Sequence, residues 1–119
     1  MTPLFASSEN QTLDEVMDRV GDAVCVSDET MTFLGANRAF AAFYNLKDPS
    51  ILIGKNAFEV YPDFRKSVFY EACSRTIESG ETTTRVGYSS HLKCWYAIRC
   101  AKLADNRYTM IATRLSENF

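Results

Sequence analysis

The sequence predicts an α+β domain in which two groups of strands flank a helical middle. Residues 23–27 form a short, Val-rich apolar run, and residues 31–36 resume it after a turn, as in a β-hairpin. From residue 37 to residue 78, apolar side chains recur mainly at helical spacing. From Thr82 onwards, β-branched residues and alternation predict strands again.

The length and composition fit a single domain. The chain has 119 residues, 46% hydrophobic and 24% charged, and can hide roughly two-thirds of its surface in one core. No run approaches the ~20 apolar residues of a membrane span, so we expect a soluble protein. The first five residues lack the features of a signal peptide, and the expected location is the cytoplasm.

The charge of the chain restricts the expected partners. A net charge of −2 and a pI near 5.4 leave no field that would attract nucleic acid or an acidic membrane. We therefore expect neither nucleic acid nor a membrane among the partners.

The cysteines predict reduced thiols that pack as small apolar residues. Cys25, Cys73, Cys94 and Cys100 lack the close pairs and accompanying histidines of a zinc site, so no metal is expected. Cys94 and Cys100 share one predicted strand about 20 Å apart, beyond disulfide reach of each other.

The first 21 residues predict a flexible arm followed by a flanking helix. Residues 1–11 are mostly polar after Phe5, whereas Thr12 and Glu15 have the spacing of a capping box. A narrow apolar stripe predicts a helix at 13–20, which must cover its own sheet or a second copy of the chain to be stable. We divide the chain into an arm (1–11) and one domain (12–119), with a flanking helix (12–21) and a core (22–116).

Three helices are predicted between the two groups of strands. Asn37 can accept an amide of the first helical turn, and aromatic residues follow it at helical spacing. A short helix is expected around residues 57–60, ended by Pro62, and a longer one from Asp63 or its neighbours to a glycine stop at Ser79-Gly80. The aromatic residues from 40 to 70 are mostly core, but such a cluster can also line a cavity.

Three strands are predicted after the helices, at 82–89, 92–103 and 107–115. Alternation on the long strand separates a core face from an outer face that carries Trp95 and two alanines. That outer face is too apolar for free water and suits the N-terminal helix or a partner subunit. The core face contains Leu92, Cys94, Tyr96, Ile98 and Cys100.

The order of these elements and several short motifs resemble the PAS domain family over residues 13–116. The matching residues are VCVSD at 24–28, Asn37 with Phe40, Ile53-Gly54-Lys55-Asn56, Glu78-Ser79-Gly80-Glu81 and Trp95-Tyr96. The chain departs from the family in two places. The glycine common in the first hairpin is absent from residues 28–31, and Arg114-Leu115-Ser116 replaces the Asp-Ile-Thr ending.

The resemblance implies a fold and a function. The fold is a five-stranded antiparallel sheet with helices on one face, an N-terminal flanking helix and a pocket for a small ligand. The function is that of a sensory and dimerisation module, in a bacterial two-component or transcriptional regulator, which passes a signal to a downstream domain or protein and is not an enzyme.

The resemblance also allows cofactor classes to be tested residue by residue. Flavin photosensors carry a reactive cysteine directly after the position of Asn56, where this chain has Ala57. Photoactive yellow proteins attach their chromophore to a cysteine after a proline, yet Pro62 is followed by Asp63. The only histidine, His91, falls in a predicted strand turn and not on the helical side that usually supplies a haem ligand. We expect no cofactor and a colourless protein.

Alternation and resemblance together give an expected pocket. Its ligand-binding residues are Cys25, Phe40, Phe58, Tyr61, Phe69, Tyr96 and Ile98. Two alternatives stay open: an enzyme that moves protons with Asp63 and Tyr61 or Tyr96, and an interaction module with a filled core. No phosphate-binding loop or nucleophile motif supports the enzyme, and no catalytic residue is assigned.

The flanking helix and the outer sheet face predict a homodimer. Each has apolar surface to cover, and a two-fold contact would bury more area than folding the helix back onto its own sheet. The expected interface residues are Leu13, Val16, Met17, Val20 and Trp95.

Overall fold

A computed structural model of the chain describes residues 22–89 and 92–115. They form a five-stranded antiparallel sheet in the order β2-β1-β5-β4-β3 with helices on one face, which confirms the predicted fold class. The strands are β1 (Ala23–Ser27), β2 (Phe33–Ala36), β3 (Thr83–Ser89), β4 (Cys94–Ala104) and β5 (Arg107–Arg114). The helices are α1 (Arg38–Ala42), α2 (Ala57–Val60) and α3 (Val68–Ser79), with 3₁₀ turns at Pro49–Leu52 and Phe64–Lys66.

Asp28 closes the turn between β1 and β2. Its Oδ1 accepts hydrogen bonds from the amide of Thr30 (2.8 Å), the hydroxyl of Thr30 (2.6 Å) and the amide of Thr32 (3.1 Å). Met31 has a φ of 67°, a conformation that glycine adopts more easily. Met31 therefore takes the turn conformation in this hairpin, which has no glycine. For this reason β2 begins at Phe33 and not at the predicted residue 31.

Asn37 joins the first strand to the first helix. It caps α1 as predicted, because its Oδ1 accepts a hydrogen bond from the amide of Phe40 (3.0 Å). The same oxygen also accepts from the amide of Val24 (3.0 Å), and Nδ2 donates to the carbonyl of Asp22 (2.8 Å). One buried side chain therefore fixes the start of α1 against the start of β1.

The middle of the chain follows the predicted order of helices with one shifted start. The short helix lies at Ala57–Val60 as expected, capped by Asn56 and Glu59. The longer helix begins at Val68 and not near Asp63, because the hydroxyl of Ser67 accepts from the amide of Tyr70 whereas Asp63 makes no capping hydrogen bond. Gly80 ends this helix with a φ of 77°, as the sequence predicted.

The last three strands form an antiparallel meander. Lys93 has a φ of 57°, so β4 begins at Cys94, after the predicted start at Leu92. The predicted alternation holds along β4: Tyr96, Ile98 and Cys100 are buried, while the Trp95 side chain on the other face is 39% exposed.

Several predictions fall outside the described residues. These are the arm at 1–11, the helix at 13–20 with its apolar stripe, and the position of His91. The proposed division into arm, flanking helix and core stays a prediction. Within residues 22–89 and 92–115, no helix combines the length and the apolar character that crossing a membrane requires.

Candidate functional site

A cavity lies between the turn after α1, residues 60–69, the end of β3 and Leu92 just before β4. Its volume is about 540 Å³, within the range of small-molecule sites in proteins. The lining residues are Phe43, Tyr44, Asn45, Val60, Tyr61, Asp63, Phe64, Lys66, Ser67, Val68, Phe69, Tyr88, Ser89 and Leu92.

Edge-to-face aromatic contacts build one wall of the cavity. Phe43 directly follows α1, and its ring centroid lies 5.9 Å from that of Phe69 on α3 and 5.4 Å from that of Tyr96 on β4. Such contacts favour one relative arrangement of the rings. The three side chains tie the end of α1 to α3 and the sheet.

A close approach of α3 to β3 sets a second wall. A Cβ atom on Gly87 would lie 2.7 Å from Cγ1 of Val68, closer than non-bonded carbon atoms come. Only glycine at this strand position lets the first residue of α3 lie directly on the sheet. Val68 then presents part of its side chain to the cavity.

Three tyrosines line this aromatic cavity, and the hydroxyls of the two that are half-buried supply polar groups to its interior, whereas Tyr88 is 52% exposed. Tyr44 and Tyr61 are both lining residues, and neither hydroxyl has a hydrogen-bond partner in the part of the chain that the structure describes. No side-chain oxygen or nitrogen buried in that part is left unpaired, so both hydroxyls reach open space. They are free to bond to a ligand.

The phenol of Tyr44 is neutral at physiological pH. Burial raises the pKa of Tyr44, and the neighbouring Cys25, Tyr61 and Cys73 raise it further. A neutral phenol can both donate and accept a hydrogen bond. Burial and the adjacent Cys94 thiol likewise raise the pKa of Tyr96 to about 12.

The other polar residues of the cavity are exposed or already bonded. Asp63 and Lys66 are exposed to solvent. The hydroxyl of Ser67 donates to the carbonyl of Phe64 (2.6 Å), and that of Ser89 accepts from the amide of Leu92 (3.1 Å). The interior therefore has aromatic walls and two available hydroxyls, with the charged groups towards solvent.

The structure separates the predicted pocket residues into three groups. Tyr61 and Phe69 line the cavity, and Tyr96 packs behind its wall with its ring 6.4 Å from that of Phe69. Phe58 belongs to a neighbouring cluster, with its ring 5.3 Å from Phe64 and 5.8 Å from Tyr70. The remaining three, Cys25, Phe40 and Ile98, are buried in the packed core. Ligand contact by any of the seven stays a prediction.

Sequence reasoning missed several lining residues for identifiable reasons. Phe43 and Tyr44 belong to the predicted aromatic cluster, and only the early end of α1 at Ala42 shows that they line the cavity. Val68 lines it because α3 starts late, and the cap at Ser67 is the sequence signal that could have shown this. No sequence signal indicates that Tyr88 lines the cavity, because alternation along β3 places its side chain on the exposed face of the sheet.

The expected dimer residues and the expected absence of a metal site both stay predictions. Trp95 lies on the exposed sheet face with its ring 5.6 Å from that of Tyr88, whereas Leu13, Val16, Met17 and Val20 fall outside the described residues. Across residues 22–89 and 92–115, no three His, Cys, Asp or Glu side chains are grouped to hold a metal ion. The expectation of a colourless protein without a cofactor stays a prediction.

Comparison with known proteins defines the class of this chain. A family model described as "PAS fold" matches residues 17–117. The chain therefore belongs to the PAS family, as the motifs and the order of elements predicted. Comparison with curated protein sequences gave no match.

Solved structures with the same fold include a sensor histidine kinase and a receptor. A sensory box sensor histidine kinase from Vibrio cholerae has a TM-score of 0.69 at 13% identity, over 91% of this chain and 93% of that one. The LuxR-type receptor VqmA, in a structure described as bound to DPO, has a TM-score of 0.73 at 15% identity, over 91% of this chain and 58% of VqmA. A VqmA dimer from Vibrio cholerae has a TM-score of 0.69 at 16% identity, over 91% of this chain and 52% of VqmA.

The VqmA structures correct one prediction. The low net charge led us to exclude nucleic acid from the partners, and that exclusion is wrong. VqmA contains a domain of this fold, and its structures are described in terms of target DNA and a ligand–DNA complex. Because the present chain spans only about half of VqmA, the charge of such a domain carries no information on whether the rest of a protein binds DNA.

Proposed function

We propose that this PAS domain is a non-enzymatic sensory module that binds a small, uncharged, partly aromatic molecule in the cavity. The observation that carries the proposal is the pair of tyrosine hydroxyls, Tyr44 and Tyr61, which have no partner in the described part of the chain. A ligand that bonds to them gains hydrogen bonds without breaking any within the protein.

The surroundings of the two hydroxyls favour an uncharged ligand. The walls are apolar and aromatic, with Phe43 and Phe69 presenting ring surface for stacking. The charged side chains, Asp63 and Lys66, are exposed. A buried ionic group on the ligand would lose hydration with no opposite charge to replace it.

The position of the cavity supports a route for the signal. Phe43 and Tyr44 directly follow α1, whose first turn is held by Asn37. Asn37 in turn holds the backbone of Asp22 and Val24, where the chain enters the sheet. We propose that a ligand against Phe43 and Tyr44 shifts α1 and thereby alters the entry of the chain at Asp22.

An enzymatic role has less support. Asp63 and Tyr61 both line the cavity, as the proton-transfer alternative required, but Tyr96 lies behind the wall. The exposed carboxylate of Asp63 makes no hydrogen bond to either tyrosine within the described residues. Without that bond nothing positions it as a base.

We also propose that the module acts as a homodimer joined to a downstream signalling domain or protein. The outer sheet face supports this proposal with exposed Trp95, Tyr88 and Val86, an apolar surface that a second copy can cover. Light scattering at tens of micromolar should give the mass of a dimer, and replacing Val16 and Met17 with Glu should leave a folded monomer. A monomer mass for the unmodified chain would contradict the dimer.

Calorimetric titration with 2-naphthol, a neutral aromatic alcohol, tests ligand binding in the cavity. The unmodified chain should bind it saturably. Val60→Trp, which places an indole ring in the cavity, should weaken binding at least about tenfold, a loss of ~1.4 kcal/mol. Val86→Trp adds the same ring at a side chain that is 47% exposed and outside the cavity lining, so it should bind as the unmodified chain does. Equal affinities for both variants would place the probe elsewhere and contradict the proposal.

A further inference from the structure

Sulfur-containing side chains converge on the inner face of the sheet, below α3. Met110 on β5 is the register partner of Cys25 on β1 and of Cys100 on β4. Because residues opposite one another in neighbouring strands project to the same face, the three sulfur atoms form a row across the sheet. All three residues are buried.

Cys73 of α3 lies above this row. Its thiol donates to the sulfur of Met110 (3.5 Å) and also interacts directly with the thiol of Cys100. One turn further along α3, the hydroxyl of Thr76 donates to the carbonyl of Cys100 (3.1 Å). The helix is thus fixed against β4 where the two thiols meet, and the small Ala72 next to Cys73 is fully buried there.

We propose that Cys73 and Cys100 form a redox site, at which a low-molecular-weight hydroperoxide oxidises the two thiols to a disulfide joining α3 to β4. The two sulfur atoms lose two electrons to the O–O bond of the peroxide, which breaks. The two thiol protons pass to the separated oxygens. Hydrogen peroxide is thereby reduced to two waters, and an alkyl hydroperoxide to an alcohol and water.

The sheet geometry selects this pair over the alternative with Cys25. Strand β5 lies between β1 and β4, so Cys25 and Cys100 are separated by two interstrand spacings of ~4.8 Å each. That separation exceeds the ~7 Å limit between the Cα atoms of a disulfide. Cys73 is not subject to this separation, because its thiol approaches that of Cys100 from α3, which packs on the sheet.

The oxidation takes place in two steps. The neighbouring Cys73 thiol lowers the pKa of Cys100 against the opposing effect of burial, and the contact with Cys100, together with burial, raises the pKa of Cys73. One thiol attacks the peroxide, which forms a sulfenic acid and releases water or an alcohol, and the other thiol resolves the sulfenic acid to the disulfide with loss of water.

The disulfide would restrain the walls of the candidate site, although neither cysteine lines the cavity. The helix that carries Cys73 begins with Val68 and Phe69, which line the cavity. The strand that carries Cys100 also carries Tyr96, whose ring contacts Phe69. Joining α3 to β4 fixes these walls relative to each other.

Oxidation of the full chain with hydrogen peroxide, followed by intact-mass measurement and peptide mapping, tests the proposal. We expect the loss of two hydrogen atoms and one cross-linked peptide pair that contains Cys73 and Cys100. The melting temperature should rise on the order of 10 °C and return with dithiothreitol. The result that overturns the proposal is recovery of both residues as thiols, or a cross-link of Cys100 to Cys25.

Matched variants separate this site from general thiol oxidation. Cys94 is half-buried on the same strand, so Cys94→Ser should leave the cross-link intact. Cys73→Ser and Cys100→Ser should each abolish it. The mapping of the unmodified chain decides the question even where a serine variant fails to fold. Oxidation confined to Cys94 would contradict the proposal.

Discussion

A Cβ atom added to Gly87 would lie 2.7 Å from Cγ1 of Val68 and 2.8 Å from its Cβ. The first residue of α3, Val68, therefore packs directly against the backbone of β3 at this position. Val68 and Phe69 of α3 form one wall of the cavity. A side chain at position 87 would have to move the helix or the strand.

Replacing Gly87 with Ala should destabilise the domain by about 1–3 kcal/mol, because the added methyl group overpacks this contact. Urea unfolding measures the loss. A double-mutant cycle with Val68→Gly provides the control, since that change removes all three contacting atoms. The double variant should lose less stability than the sum of the two single variants. Strict additivity would show that the two residues do not determine each other's position.

Replacing Asn37 with Ala should cost about 3 kcal/mol of unfolding free energy, since it removes a cap and leaves a buried amide unpaired. Its Oδ1 accepts from Val24 and from Phe40, at 3.0 Å each. Asn37→Ser separates these roles, because a hydroxyl can cap α1 but is too short to reach Asp22 and Val24. Denaturant titration should place the stability of Asn37→Ser between those of Asn37→Ala and the unmodified chain. Equal stability of Asn37→Ala and the unmodified chain would contradict the role of this residue.

The stability of the first hairpin should depend on acidic pH through Asp28. Burial opposes the charged form of this carboxyl, but the hydrogen bonds from Thr30 and Thr32 outweigh it and lower the pKa of Asp28 in the folded state. The unfolded state therefore takes up a proton at a higher pH than the folded state does. The stabilisation is complete above the unfolded-state pKa of about 3.9 and is lost as pH falls through the lower folded-state value.

Comparing the unmodified chain with Asp28→Asn in urea unfolding from pH 7 to pH 3 isolates this contribution. The difference in unfolding free energy between the two proteins should be largest at neutral pH and decrease towards pH 3. A difference that stays constant over this range would show that the carboxylate of Asp28 does not hold the turn.

Replacing Tyr44 with Phe should leave stability unchanged within ~0.5 kcal/mol, since its hydroxyl has no partner within the described residues. The affinity for 2-naphthol should fall about two- to tenfold, as expected for one lost hydrogen bond. Tyr108→Phe is the matched control, because Tyr108 is buried but does not line the cavity. Calorimetry that gives the two variants the same affinity would remove Tyr44 from the binding site.

The sequence predicted the fold more completely than it predicted the site. Asn37 as a cap, Gly80 as a helix end and the alternation along β4 were predictable because each depends on neighbours in the chain. The start of β2 was not, because Met31 adopts a positive φ where glycine was absent. The start of α3 was also missed, since Asp63 and Ser67 are both suitable caps in the sequence and Ser67 is the one that makes the capping hydrogen bond.

The cavity depends on contacts between elements that are distant in sequence. Tyr61 and Phe69 line the cavity, and both were predicted from alternation together with the resemblance to the PAS family. The lining role of Val68 depends on Gly87, nearly twenty residues away, and no local pattern connects the two. Phe40 was as plausible a candidate as Phe43, but it is 1% exposed and packs in the core.

Native mass spectrometry of the freshly purified chain tests most directly whether this domain binds a small molecule in its cavity. Ligand binding in the cavity predicts a non-covalent adduct on the unmodified chain and on Val86→Trp, which disappears on denaturation and is absent from Val60→Trp. The mass of the bare chain in all three preparations, or an adduct that Val60→Trp retains, would contradict it.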